Sequence, residues 1–194
     1  MSSFIGHALA GLTVSVVPKP QRSVREQLLR SGWLVAIACA PDLDYFVPIL
    51  HPSANNGVRL THSLFFCLLL PLATIAMLAL KGDRGSVLRR HSLQTIAAGL
   101  SHLGLDLMVG VSALPLLFPY TSRTYKLPFG LLPSAGALDF SNYYLYRNLF
   151  IELGVLLPLF AIAIQISRGR YSRILIGLTS ISIAFMVWSF RLSR

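Results

Sequence analysis

Charged residues are scarce in this 194-residue chain, and acidic residues are fewer than half as numerous as basic ones. Only 12% of the residues are charged, with 7 Asp and Glu against 17 Lys and Arg, whereas 54% are hydrophobic. A soluble domain carries about a quarter charged residues, so the shortage argues against an ordinary water-exposed surface. The 2 cysteines, Cys39 and Cys67, lie inside apolar runs and do not indicate a disulfide framework. Lipid is the favoured solvent.

The excess of basic residues does not indicate nucleic-acid binding. The net charge is +10, but the Lys and Arg residues form short clusters between apolar runs and do not line one helical face. The sequence contains no evident nucleic-acid-binding motif. It also lacks the Gly-rich phosphate loop and the Ser-centred nucleophile elbow. We therefore expect no direct nucleic-acid binding, and we interpret the basic clusters as membrane-topology signals.

Six apolar runs divide the chain. A helix needs roughly 20 residues to cross the hydrocarbon core, and all of the runs except the first approach that length. They predict an all-α fold, a polytopic membrane helix bundle with about six membrane segments and a long outer loop. No repeat or linker interrupts the sequence, so residues 1–194 are predicted to form a single domain. The runs are 4–17, 34–50, 62–80, 93–109, 149–166 and 174–190.

The basic residues also predict an orientation, because Lys and Arg in short loops stay on the cytoplasmic side. Eleven of them lie in the segments 18–30, 81–90 and 168–173, and the other six lie elsewhere. This asymmetry predicts a multi-pass protein of a bacterial-type inner membrane. Residues 51–60, the long loop 111–147 and both ends are then outside.

Most of the acidic and histidine side chains fall at the outer ends of these segments. Ionisable residues inside a membrane are costly and by default indicate function. His102 and Asp106 are four residues apart and therefore share one helix face. Pro41 ends the second segment and turns two acids toward the membrane surface. The residues predicted to meet at this depth are His7, Asp42, Asp44, His62, His102, Asp106 and Glu152.

Neutral imidazoles and carboxylates together are suitable ligands for a divalent cation, whose charge offsets the cost of burying several acids. We expect one or two ions, with Zn²⁺ favoured over Mn²⁺ or Mg²⁺. A metal ion with an open coordination position lowers the pKa of water and so supplies a nucleophile. The residues therefore predict a membrane-bound metal-dependent hydrolase, with Asp42 and Asp44 assisting proton transfer or binding a second ion.

At these motifs the sequence resembles the YdjM-like family of inner-membrane-associated metal-dependent hydrolases. The resemblance covers roughly residues 1–130 and includes the segments 114–119 and 125–128. It also implies that His7, Asp42, His62, His102 and Asp106 are metal ligands. The motifs are Gly6-His7, Pro41-Asp42-Leu43-Asp44, Thr61-His62-Ser63 and Ser101-His102-Leu103-Gly104-Leu105-Asp106.

The order of these motifs is, more distantly, similar to that of zinc-dependent phospholipase C. This likeness implies a helical hydrolase with a multi-metal site. The later histidine ligands of that pattern are missing here, and Glu152 is the one remaining candidate to replace them. A full three-metal site is therefore not expected.

The loop 111–147 contains four prolines and is predicted to lie over the site and to contain no further spanning helix. Arg59, Arg123 and Lys126 are candidate ligands for an anionic headgroup, although ordinary interfacial anchoring explains the loop residues equally well. Because the proposed site lies at headgroup depth, a phosphoester of a membrane lipid or lipid-linked molecule is the expected substrate.

Two other classes of function remain open. A transporter would also bury acids and histidines, but near the midplane of the membrane. A noncatalytic membrane adaptor with a structural metal site is the second alternative. For the His and Asp residues themselves, a purely structural hydrogen-bonded cluster is the plainer interpretation against which metal binding is weighed.

Overall fold

The computed structural model describes residues 1–16, 23–47, 59–134, 141–170 and 173–192. Within these ranges the chain is all-helical, as the sequence predicts, with six α-helices and two short 3₁₀ segments. The α-helices are α1 (Phe4–Val16), α2 (Val24–Cys39), α3 (Leu64–Leu80), α4 (Gly85–Val109), α5 (Tyr143–Ser167) and α6 (Arg173–Phe190), and the 3₁₀ segments are Ala40–Phe46 and Leu60–His62.

Among the helices of the described ranges, two are both long and apolar enough to cross a membrane, namely α5 and α6. α1 and α3 are apolar but shorter, with 13 and 17 residues. A bundle of six membrane-spanning segments is therefore not confirmed, although six helices are present.

The second apolar run does not form one helix, so its predicted bounds of 34–50 were wrong. α2 begins ten residues earlier, after Ser23, whose hydroxyl accepts a hydrogen bond from the Glu26 amide. It ends at Cys39, and Pro41 then opens the 3₁₀ segment Ala40–Phe46. Proline has no N–H and its ring clashes with the preceding turn, so the α-helical bonding pattern stops there.

α4 and α5 also begin before their apolar runs, at Gly85 and Tyr143. Their first turns contain polar and aromatic residues that an apolar-run criterion passes over, although the backbone remains helical. The segment between α4 and α5 is therefore shorter than the predicted loop 111–147. Its described part, up to residue 134, packs back on the bundle, because Leu114 lies in an apolar cluster with Cys67 and Leu103, and Leu132 lies in the cluster of Leu9.

Helix packing brings one set of helix ends together. α1 contacts α2, α4 and α5, while α3 packs on α4, and α6 on α5. Leu9 of α1, Val109 of α4 and Val155 of α5 share one apolar cluster. Leu34, Ile37 and Ala98 join α2 to α4 in a second cluster. The start of α1, the end of α2 and the last turns of α4 consequently meet at one end of the molecule.

Candidate metal centre

Five side chains converge at this end, and each is almost completely buried. α1 contributes His7, the two 3₁₀ segments contribute Asp42 and His62, and α4 contributes His102 and Asp106. Their exposure is between 0% and 3%. Two groups have donor atoms within 4.8 Å of one another, the first being His7, His102 and Asp106 and the second Asp42, His62 and His102. The structure thus brings together all five residues that the family resemblance implies.

The distances between donor atoms are short and similar. His62 Nε2 lies 3.0 Å from His102 Nε2, 3.2 Å from Asp106 Oδ2 and 3.3 Å from Asp42 Oδ1. His102 Nε2 lies 3.5 Å from Asp106 Oδ2 and 3.9 Å from Asp42 Oδ1. Donors held at about 2.0–2.1 Å from a tetrahedral Zn²⁺ lie roughly 3.3–3.4 Å from one another. The four side chains therefore have the spacing that a small divalent ion requires.

A backbone carbonyl orients His102. Its Nδ1 lies 2.8 Å from the Ala38 oxygen at the end of α2. A carbonyl accepts hydrogen bonds and does not donate them, so the ring proton is on Nδ1 and Nε2 keeps its lone pair. In a 3₁₀ turn the donor to Ala38 would be Pro41, which has no N–H. The break in α2 thus contributes to leaving this carbonyl available for His102.

A side-chain relay orients His62 in the same way. Thr61 Oγ1 donates to Asp44 Oδ2 at 2.8 Å and lies 3.0 Å from His62 Nδ1. Because the hydroxyl proton points to the carboxylate, the hydroxyl oxygen accepts from His62 Nδ1, and His62 Nε2 is left as a bare acceptor. Asp44 itself lies outside both donor groups and supports His62 through Thr61.

These assignments place like groups against each other. When both rings are neutral, His62 Nε2 and His102 Nε2 face one another at 3.0 Å as two lone pairs. Asp106 Oδ2 lies beside them, buried and without a hydrogen-bond partner among the described residues. Such an arrangement of acceptors is repulsive unless a cation or a proton lies between them. The chemistry of the donor set therefore fits a divalent cation.

His7 is the least satisfied member of the cluster. Its ring stacks on that of His102 with centroids 3.9 Å apart. Its Nε2 lies 3.5 Å from Asp42 Oδ2 and 3.6 Å from Asp106 Oδ1. Within the described part of the chain neither of its ring nitrogens makes a hydrogen bond. His7 thus faces carboxylate oxygens other than those that approach His62.

Arg59 is held by the acids. Its Nε donates to Asp44 Oδ2 at 2.9 Å, and its Nη2 donates to Asp42 Oδ1 at 3.0 Å and also to Asp44 Oδ1. Burial alone lowers the pKa of Arg59, but the hydrogen bond that it donates to Asp44 and the charge of Asp42 together raise that pKa above its usual value. The guanidinium therefore compensates the charge of two buried carboxylates.

Glu152 was predicted as a ligand but lies in neither donor group. It is buried on α5 and accepts hydrogen bonds from the Ser2 hydroxyl and from the Ser3 amide, the latter at 3.0 Å. Arg123 and Lys126 are exposed on the loop, and Arg123 lies over the Tyr125 ring. Among the described residues, no contact joins either of these two basic side chains to the donor cluster. Their role in substrate binding stays a prediction.

Sequence reasoning overlooked the supporting groups. No sequence motif marks Thr61 or the Ala38 carbonyl as a supporting group. The available signals were the position of Thr61 next to His62 and the helix break before Asp42. Near the start of α4, His91 is buried at 6% exposure and lies 3.1 Å from Asp83.

Comparison with known proteins assigns the chain to a family. The family model described as YdjM inner membrane protein matches residues 1–190. The chain belongs to the YdjM inner membrane protein family. Searches of curated proteins and of solved structures gave no match, and the similarity to phospholipase C stays a prediction. Membership of the YdjM family, together with the apolar helices α5 and α6, indicates membrane association.

Proposed function

We propose that the protein is a membrane-bound metal-dependent hydrolase whose ion is held by His62, His102, Asp42 and Asp106. The observation that supports this proposal is the pair of imidazoles whose bare Nε2 atoms face each other at 3.0 Å beside Asp106 Oδ2. A divalent ion bound there supplies Lewis acidity and lowers the pKa of water toward neutrality. Zn²⁺ suits two imidazoles and two carboxylates best, and Mn²⁺ or Mg²⁺ are the alternatives.

The residues around the donors have further roles in proton transfer, in orienting His62 and in binding a second ion. Asp42 directs one carboxylate oxygen toward His7 Nε2 at 3.5 Å, so this pair is suited to receive or return a proton. Asp44 keeps His62 in its tautomer through Thr61 and also holds Arg59. His7, whose ring nitrogens make no hydrogen bond among the described residues, is the group on which a second ion would depend.

The expected substrate is a phosphoester of a membrane lipid or of a lipid-linked molecule. Apolar side chains next to the acids support it, since Leu43 and Phe46 are 51% and 71% exposed within the same 3₁₀ segment as Asp42. Phe65, in the first turn of α3 just after His62, is 50% exposed. Exposed apolar groups around a buried polar site fit a membrane interface, where a headgroup would meet the donors.

Two measurements on the detergent-purified protein test the proposal. Metal analysis should find about one or two divalent ions per chain, as expected of a buried set of His and Asp ligands. Incubation with membrane lipid extracts and Zn²⁺, Mn²⁺ or Mg²⁺ should release phosphate-containing products, followed by mass spectrometry, and the His102→Ala protein should release none.

The outcomes separate the alternatives. Cleavage of an acyl ester or peptide bond would replace the phosphoester but keep the hydrolase. Bound metal without turnover of any substrate class would favour a transporter or an adaptor with a structural metal site. Protein without metal would leave a proton on the histidines as the compensating charge, and the hydrolase proposal would fail.

We further propose that the site faces the periplasmic side of the inner membrane in a multi-pass topology. The basic residues at 81–90, in the turn after α3 and in the first turns of α4, support this orientation. Single cysteines placed in this segment should resist a membrane-impermeant maleimide in intact cells, and cysteines in 111–134 should react. The reverse pattern would place the site on the cytoplasmic side.

A further inference from the structure

Residues 1–3, named here the N-terminal strap, lie against the donor cluster. The Ser2 amide donates to Asp106 Oδ1 at 2.8 Å, and Ser2 is 5% exposed. The Met1 amino group donates to Ser134 Oγ at 3.3 Å, while Arg59 Nη1 contacts the Met1 sulfur. The strap thus connects a predicted metal ligand to the loop after α4 and to the basic residue that pairs with Asp42.

Glu152 attaches the strap to α5. Its Oε1 accepts hydrogen bonds from the Ser2 hydroxyl and, at 3.0 Å, from the Ser3 amide. The Glu152 side chain is 2% exposed, so these bonds form in a place where an unpaired carboxylate is costly. Gly6 permits this approach, because a Cβ there would collide with the Glu152 carboxylate and lie 2.7 Å from Ser2 Oγ.

From these contacts we infer that Glu152 is a positioning residue, which holds the N-terminal strap over the donor cluster so that the Ser2 amide orients Asp106 toward the ion. This inference rests on the metal centre of the proposed function. It assigns Glu152 no contact with the ion, in contrast to the role that the sequence predicted for it.

The physical reason is that the two Asp106 oxygens have different partners. Oδ1 accepts from Ser2, and Oδ2 faces His62 Nε2 and His102 Nε2. A carboxylate fixed at one oxygen presents the other in a defined direction, and this restraint raises metal affinity. The strap also covers a cluster whose members are at most 3% exposed, so its release would open the ion to solvent.

The first test measures how fast a chelator extracts the metal. The purified protein, loaded with Zn²⁺, is mixed with excess EDTA and a zinc-sensitive dye. Glu152→Leu should bind the same number of ions as wild type but lose them about 10- to 100-fold faster, the usual effect of removing a partner that orients a ligand. Glu152→Gln keeps an acceptor oxygen for Ser2 and Ser3, so its extraction rate should stay close to that of wild type.

A ligand would behave differently. If Glu152 contacted the ion, Glu152→Gln would lower the number of bound ions, because an amide oxygen is a much weaker ligand than a carboxylate. That result, or an extraction rate in Glu152→Leu equal to that of wild type, would overturn the inference.

A glycine pair provides a perturbation that changes no polar group. Gly6→Ala pushes a methyl group into the contact between Glu152 and Ser2, and it should speed extraction as Glu152→Leu does. Gly104→Ala is the matched control, because it lies between His102 and Asp106 on α4 and its added Cβ would meet nothing within 4 Å. Equal extraction rates in the two variants would contradict the strap contact.

A second readout needs no metal. In a background with Cys39→Ala and Cys67→Ala, Ser3→Cys reports exposure of the strap through its reaction rate with a small maleimide in chelator-treated protein. Labelling should be slow with Glu152 or Glu152→Gln and about 10-fold faster with Glu152→Leu, corresponding to the roughly 1.4 kcal/mol that a buried hydrogen bond to a charged group contributes. Equal labelling rates in the three proteins would overturn the inference. Wild-type protein that binds no metal would instead overturn the proposed function, and the labelling rates would then still decide the position of the strap.

Discussion

The two ends of α4 each place a buried histidine beside an aspartate, yet the surroundings differ. Near the end of the helix, His102 lies within 4 Å of His62, Asp42 and Asp106, and all four side chains are almost completely buried. Near its start, His91 Nδ1 lies 3.1 Å from Asp83 Oδ2, and the Asp83 side chain is 30% exposed. No metal-ligand group forms at that end within the described residues.

The difference shows that a buried histidine beside an aspartate is insufficient for a metal site. His102 gains partners because the start of α1 and both 3₁₀ segments lie beside it. Water can solvate part of Asp83, whereas the donors around His102 are shielded and depend on one another for compensation.

The largest expected effect is on metal content. The double variant His102→Ala, Asp106→Ala removes two of the four donors. Its metal affinity should fall by more than about 100-fold, which is the upper end of the loss caused by removing one supporting hydrogen bond. The matched double variant His91→Ala, Asp83→Ala should bind metal as wild type does. Metal analysis of purified, membrane-inserted protein measures both, and unchanged metal content in the first variant would make the cluster purely structural.

Arg59→Met should cause the next largest effect, on stability. It leaves the carboxylates of Asp42 and Asp44 buried without their cation, which costs about 3–5 kcal/mol when a buried ion pair loses one member. Thermal unfolding in detergent should show the loss in metal-free protein and a smaller loss after Zn²⁺ is added. Arg123→Met, on the exposed loop, is the control, and equal destabilisation by both changes would contradict the buried pairing.

Thr61→Val tests the relay that orients His62. The change preserves shape but removes the hydroxyl between Asp44 and His62 Nδ1, so Zn²⁺ affinity should fall about 10- to 100-fold with unchanged stoichiometry. Thr95→Val is the counterpart at the other end of α4, where Thr95 Oγ1 bonds the His91 carbonyl. Competition with a zinc dye compares them, and identical affinities would mean that the His62 tautomer does not depend on Thr61.

The smallest effect is expected for Asp83→Asn. Since Asp83 is partly solvated, its contact with His91 should contribute at most about 1 kcal/mol, as is usual for exposed ion pairs. Thermal unfolding at low and high salt measures it. A loss as large as that of Arg59→Met would show that the two ends of α4 are electrostatically alike, against the comparison drawn above.

The donor set could be predicted from sequence more completely than its supporting contacts. His102 and Asp106 could be predicted as ligands from their helical spacing, and Asp42 could be predicted from the proline before it. Glu152 has the same composition signal as a ligand, an acid inside an apolar helix, but its nearest partners come from Ser2 and Ser3, about 150 positions away in the chain. Helix bounds were also misjudged where polar turns precede an apolar run, because helical hydrogen bonding continues through residues that lipid would not favour.

By itself the sequence determined the helical class, the family and five of the seven residues predicted to converge, since these depend on composition, spacing and motif order. The tertiary structure decided which lone pairs face one another, that Arg59 is occupied by Asp42 and Asp44, and that Glu152 holds the strap beside Asp106. The physical reason is that hydrogen bonds form only at about 3 Å and that charge compensation is strongest at such short distances. Proximity at that scale is set by the packing of α1, α2, α4 and α5, and chain order does not specify it.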